Sequence, residues 1–263
     1  GLHSNLYAAT RELDSQIAFV DDFYETVKAY TPESTQHITG IEPEMLREIA
    51  RTYAKAETAT ILWGMGVCQF RQGVETVRAL ASLAMLTGNL GKPNVGVNPV
   101  RGQNNVQGAC DMGALFNTLP GYQSFADPEI NAKFAKAWGV PSIPSKPGVP
   151  LSEVPEAIME DKIKAFYIMG EDTLQTEPDI NAVKKAFEKV ELLIVQDIFM
   201  TQTAAEADIL LPATSCAEHE GVYSAADRGF QRFYKAVEPT GDVKDDWVII
   251  SELATAMGYP MHY

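Results

Sequence analysis

A chain of 263 residues, 46% of them hydrophobic, is long enough for one large or two modest domains around a real core. Its 21 Lys and Arg stand against 35 Asp and Glu, a net charge of −14 that argues against nucleic acid, which calls for clustered cations. No apolar run approaches the roughly 20 residues of a membrane span, and the first residues lack the basic-then-apolar order of a secretory signal. The composition therefore reads as that of a cytoplasmic protein with a solubilising acidic surface.

In chain order, residues 6–30 carry Leu13, Ile17, Phe19, Val20, Phe23 and Val27 near helical spacing. Thr31-Pro32 breaks that helix, and a second break at residues 39–43 precedes an amphipathic helix over 42–55. Residues 58–63 are short, apolar and β-branched, which predicts a strand. Gly64-Met65-Gly66 ends it, and residues 73–86 return to helical spacing. Strand, glycine turn, helix is the local order of a parallel α/β sheet.

Residues 88–102 read as loop, being rich in Gly, Pro and Asn. A helix is expected over 112–119 and another over 129–138. Residues 139–150 hold four prolines and make the best linker in the chain. The strand order then returns: a strand over 165–169, the turn Gly170-Glu171-Asp172, a helix over 178–189, and strands over 192–196 and 208–211. A loop or hairpin around 219–232 leads to a last helix over 245–257. The expected architecture is α/β, two lobes each with a parallel sheet flanked by helices, joined near residues 102–105.

Cys68, Cys110 and Cys216 include no C-x-x-C and form a poor disulfide framework. His3, His37, His219 and His262 have no zinc-ligand spacing, and no metal site is expected on this chain. The least core-like stretch is N-P-V-R-G-Q-N-N-V-Q-G-A-C-D-M-G, residues 98–113. Its three glycines, five side-chain amides and single arginine have neither helical nor strand period. Backbone N–H groups, amides and one fixed cation suit a large, polar, anionic ligand.

Other motifs read two ways from the residues alone. Gly64-Met65-Gly66 is bare backbone a phosphate can approach, or a structural turn, since the third glycine is Gly73 and the spacing is not G-x-G-x-x-G. Asp197, ending a strand, is an acceptor for a nucleotide's hydroxyls or a cap on the turn at Ile198 and Phe199. Gln103, Asn104, Asn105 and Gln107 are ligand amides or turn caps. Arg101 presents a planar fork matched to a carboxylate, or pairs with a cofactor phosphate or a surface acid.

With G-M-G-V-C-Q-F (Gly64 to Phe70) upstream and I-M-G-E-D-T-L-Q-T (Ile168 to Thr176) downstream, the chain resembles the large (alpha) subunit of molybdenum- or tungsten-dependent formate dehydrogenases. These belong to the dimethyl sulfoxide reductase superfamily, whose members bind two molybdopterin guanine dinucleotides. The resemblance runs from about Asp14 to Tyr263 and implies Rossmann-like lobes. Residues 1–103 would be part of a first dinucleotide-binding lobe, 104–215 a second, and 216–263 the start of a further one.

It implies cofactor contacts at Gly64, Met65, Gly66, Phe70, Gly102 and Gln103, and at Gly170, Asp172, Gln175, Thr176 and Asp197. Arg101 falls where the resembling enzymes hold an arginine beside the metal, which makes it the expected catalytic residue, gripping formate on its way to carbon dioxide. The family's E-H-E-G carries no metal, so Glu218-His219-Glu220-Gly221 is not expected to bind one. The family's cysteine-rich [4Fe–4S] segment, its selenocysteine or cysteine metal ligand and its C-terminal β-rich domain have no counterpart here. The expectation is thus a central piece of a larger molybdopterin oxidoreductase, inactive alone. It would work with the rest of the large subunit and with electron-transfer subunits, and would form an oligomer through uncovered faces if it stood alone. The alternative is a relative without cofactor, serving as scaffold in an electron-transfer complex; retention of Arg101-Gly102-Gln103 argues against it.

Overall fold

The computed structural model describes residues 22–225 and 229–262. Most of the helix expected over 6–30 lies outside the described residues; of it, 22–27 are helical. The chain divides into two compact units, Gly1–Gln103 and Asn104–Tyr263.

In the first unit, Thr31 caps α1 (Pro32–Thr39) with its side chain on Ser34 N–H, and Pro32 takes a helix-opening position where its missing N–H costs nothing. Next come α2 (Pro43–Lys55), β1 (Thr60–Trp63), α3 (Met65–Cys68), α4 (Gly73–Leu86) and β2 (Gly96–Pro99). β1 and β2 pair in parallel with Trp63 opposite Pro99, and Val100 N–H extends the ladder to Trp63 C=O at 2.7 Å. The loop expected over 88–102 therefore contains a strand. Asn89 in the same stretch is buried, and its Oδ1 accepts from Ala59 N–H at 3.0 Å, fixing the entry to β1.

The second unit opens with α5 (Val106–Asp111), the short antiparallel pair β3 (Thr118–Leu119) and β4 (Gln123–Ser124), and α6 (Pro128–Ala137). The helix expected over 112–119 is displaced: the helical turn comes earlier and the chain is extended by Thr118. The proline-rich residues 139–150 are irregular and lie inside this unit. Asp127 caps α6, its Oδ1 accepting from the N–H groups of Glu129 (2.9 Å) and Ile130 (3.3 Å). Asp127→Ala is expected to cost about 1 kcal/mol, read as a lower urea midpoint at unchanged slope, while Asp127→Asn retains most of the stability.

After α7 (Val154–Met159) come β5 (Ala165–Met169), α8 (Thr173–Thr176), α9 (Ile180–Lys189), β6 (Leu192–Asp197), α10 (Gln202–Ala205) and β7 (Ile209–Pro212). The three strands form one parallel sheet with β6 in the middle. Ile168, Leu193, Val195 and Ala204 pack into one core cluster. Val154, Ile158 and Ala186, from α7 and α9, form another against Phe166 and Val190. Strands in such a sheet are covered on both faces, as the buried Leu193, Val195 and Gln196 of β6 show. The hairpin of β8 (Gly221–Ser224) and β9 (Phe230–Phe233) and the helix α11 (Asp246–Ala256) complete the unit.

Candidate functional site

In open parallel sheets ligands gather outside the carboxyl ends of the strands. The expected site residues stand at such ends in both units. In the first, the parallel register sets the end of β1, where Gly64-Met65-Gly66 follows, beside the end of β2, where Arg101-Gly102-Gln103 follows. A side chain built on Gly64 or Gly66 meets nothing within 4 Å, whereas one on Gly102 stands 3.0 Å from Met65 Cε. The two motifs, 37 positions apart at Gly64 and Arg101, are thus brought into contact by strand pairing. Met65 and Phe70 are exposed, Phe70 by 64%. Arg101 and Gln103 are exposed, and Arg101 forms no ion pair with any described residue.

In the second unit, Gly170 follows β5 with φ at +65°, a left-handed conformation glycine adopts without steric cost, and faces open space. Its N–H donates to Gln196 C=O at 2.8 Å, tying the β5 turn to β6. Asp172 is half-buried and its Oδ1 accepts from Thr203 N–H (3.0 Å) and the Thr203 hydroxyl (2.7 Å). Asp197 ends β6 with its Oδ1 on the N–H groups of Ile198 (2.7 Å) and Phe199 (3.2 Å). The turn-capping role of Asp197 is therefore present, and it occupies one oxygen of two. Gln175 and Thr176 are exposed on α8, with the Thr176 hydroxyl on the Glu171 carboxylate.

Behind these ends a buried glutamine joins a half-buried tyrosine to an exposed aspartate. Gln196 is fully buried; its amide donates to Asp246 Oδ1 at 2.5 Å and its oxygen accepts from the Tyr167 hydroxyl. Burial, and then the Asp246 charge, push the Tyr167 phenol above its usual range. Glu218 is held below the ordinary carboxylate range by the backbone N–H and then the hydroxyl of Ser215. His219 Nδ1 lies 2.9 Å from Ser215 C=O and its ring packs edge-on to Phe233. Among the described residues no group of three or more His, Cys, Asp or Glu could hold a metal ion.

The sequence model of the family described as "Molybdopterin oxidoreductase" matches residues 2–256. The chain belongs to that family. It is 64% identical over 243 residues to "Formate dehydrogenase H" of Escherichia coli (strain K12), covering 92% of this chain and 34% of the relative. The "F420-dependent formate dehydrogenase 1 subunit alpha" of Methanococcus maripaludis is 45% identical over 240 residues, covering 90% of this chain and 35% of that protein. A counterpart from Methanocaldococcus jannaschii is 47% identical over 237 residues, covering 89% and 34%. The chain spans about a third of the length of these curated relatives. Among solved structures, "Acetylene Hydratase from Pelobacter acetylenicus" superposes with a TM-score of 0.67 at 21% identity, over 93% of this chain and 36% of that one. At that identity the likeness speaks for the fold, and it agrees with the parallel sheets flanked by helices.

Two amides of the polar stretch have protein partners. Asn105 binds β8 as another strand would, its Nδ2 donating to Val222 C=O (3.1 Å) and its Oδ1 accepting from Ser224 N–H (3.0 Å). Gln107 donates to Asp111 Oδ1 (2.7 Å) and the Tyr122 hydroxyl (2.9 Å). Thr203 was not singled out by sequence. Its only signal is a T-Q-T run after a strand, where Thr201 caps α10 by accepting from Ala204 N–H.

Proposed function

We propose that this chain supplies part of the cofactor-binding framework of a molybdopterin-dependent formate dehydrogenase. The observation that carries the reading is the junction at the ends of β1 and β2. There an exposed arginine without an ion-pair partner among the described residues follows one strand, beside the bare glycine turn that follows the other. The names of the close relatives support the substrate assignment, formate to carbon dioxide.

A large dinucleotide needs backbone it can approach and groups that answer its hydroxyls and phosphates. Gly64, Gly66 and Gly170 each face open space, so the residues present fit such a group. Gly64, Met65, Gly66, Phe70, Gly102 and Gln103 would line one molybdopterin guanine dinucleotide. Gly170, Asp172, Gln175, Thr176 and Asp197 would line the other, the two acids toward its guanosine. When bound, the metal, Mo or W, supplies the acceptor for the two electrons that formate loses. Arg101 grips the formate carboxylate through two parallel N–H donors and fixes its orientation.

On this reading residues 1–103 and 104–215 belong to the two dinucleotide lobes and 216–263 begin a further lobe. The metal ligand, the [4Fe–4S] segment and the electron-transfer subunits lie elsewhere in the complete enzyme, and this piece is inactive alone. A cytoplasmic setting fits the three unpaired thiols Cys68, Cys110 and Cys216. Among the described residues no helix is long and apolar enough to cross a membrane. Studied alone the chain would self-associate through exposed apolar residues such as Phe199, Met200 and Phe230.

Mass spectrometry of the purified complete protein is expected to release a pterin guanine dinucleotide together with Mo or W. A stable, folded protein that releases neither would overturn the assignment and favour a scaffold.

A further inference from the structure

We propose that Thr203 is a positioning residue that aims Asp172 at the nucleotide. The inference rests on the assignment of Asp172 as a guanosine contact. Thr203 is fully buried on α10, after β6, while Asp172 lies in the turn after β5. Its hydroxyl accepts from Leu174 N–H at 3.0 Å. A backbone N–H can only donate, so the single hydroxyl proton goes to the other neighbour, Asp172 Oδ1, at 2.7 Å. Thr203 N–H donates to the same oxygen at 3.0 Å.

Oδ1 therefore takes two donors from one buried residue, and the plane of the carboxylate is set by them. Oδ2 has no hydrogen-bond partner among the described residues, and Asp172 is half-buried with that oxygen left over. Asp197, at the end of the neighbouring strand, repeats the pattern: Oδ1 takes two backbone N–H groups and Oδ2 has no partner among the described residues. Two acceptor oxygens, each held by its twin, suit a ligand that offers donors. The ribose diol and the guanine N–H edge of a guanosine both do. Thr203 touches no ligand in this arrangement; it acts through Asp172.

The test uses the complete protein with its native dinucleotide, following the rate at which the guanine dinucleotide dissociates, with the thermal midpoint beside it. Thr203→Val keeps the shape and removes the proton donor; dissociation is expected to quicken about tenfold, the scale of one hydrogen bond to a charged group. Thr203→Ser should restore the wild-type rate to within about twofold, since it regains the same donor. Asp172→Asn should quicken dissociation at least as much, and adding Thr203→Val to it should change the rate no further.

A purely structural Thr203 would lower the midpoint, by itself and on top of Asp172→Asn, and leave dissociation unchanged in the wild-type background; that result overturns the proposal. If Thr203→Val does not fold, Thr203→Cys, of similar size with a weaker donor, should give an intermediate rate, and an unchanged rate overturns the proposal equally. An unchanged rate in Asp172→Asn removes Asp172 from the nucleotide site, and the inference with it. An effect of Asp172→Asn without one of Thr203→Val removes only the role of Thr203.

Discussion

Replacing Arg101 by Ala in the complete enzyme is expected to lower formate turnover roughly 30- to 1,000-fold while pterin and metal content stay at their wild-type levels. The range corresponds to the loss of a charge-assisted bond to the reacting carboxylate, on the order of 2–4 kcal/mol. Arg101 follows the carboxyl end of β2, is exposed, and has no ion-pair partner among the described residues. Its side chain is thus uncommitted by any ion pair among the described residues, unlike Arg47, which bonds the Glu33 carboxylate. Arg101→Lys keeps the charge and loses the planar fork, so it too should lose turnover. If Arg101 clamps a cofactor phosphate instead, both variants lose cofactor in proportion to activity. Metal and pterin assays run beside the kinetics separate the two outcomes, and full content with unchanged turnover removes Arg101 from both roles.

The parallel α/β character was legible because its signals are local. β5 is a run of apolar and aromatic residues followed by a glycine, and α4 keeps helical spacing through all of Gly73–Leu86. β2 was not legible: G-V-N-P has the composition of a loop, and it is a strand because β1 supplies its partner. The helix expected over 112–119 failed for a related reason. Asn105 adopts a left-handed backbone, φ +59°, and starts α5 there, and its amide is held by β8, more than 100 positions away. Nothing within a short window of sequence carries that contact. The same distance hides the partners of Asn105 and Gln107, whose side chains looked equally suited to a ligand. Asn89 reads as a loop residue but is buried against Ala59, because a short parallel pair needs its entry fixed. The proposed site residues Gly64, Arg101 and Gly170 stand out in the sequence as types, glycine and arginine in polar loops. That Gly102 packs on Met65 required the fold.

The three glycines after β1 should separate by what surrounds them. A side chain on Gly73 would stand 2.1 Å from the Cys68 carbonyl oxygen and 2.8 Å from its carbon, both backbone atoms that cannot swing aside. Gly73 also opens α4, so relief would mean moving the start of a 14-residue helix. Gly73→Ala is therefore expected to destabilise the protein by about 3 kcal/mol or more, the upper end for overpacking, seen as a lower midpoint with or without cofactor. Gly64 and Gly66 meet nothing within 4 Å. Gly64 has an extended backbone, and Gly66 lies within α3, where Ala is the better helix former by roughly 0.5–1 kcal/mol. Gly64→Ala and Gly66→Ala should leave apoprotein stability within about 1 kcal/mol of wild type or above it. If the open space at these two glycines receives the pterin dinucleotide, both variants should purify folded but depleted of cofactor, because each methyl occupies room the ligand needs. Folded variants with full cofactor content would make Gly64-Met65-Gly66 a turn and nothing more, and would remove all three residues from the proposed site.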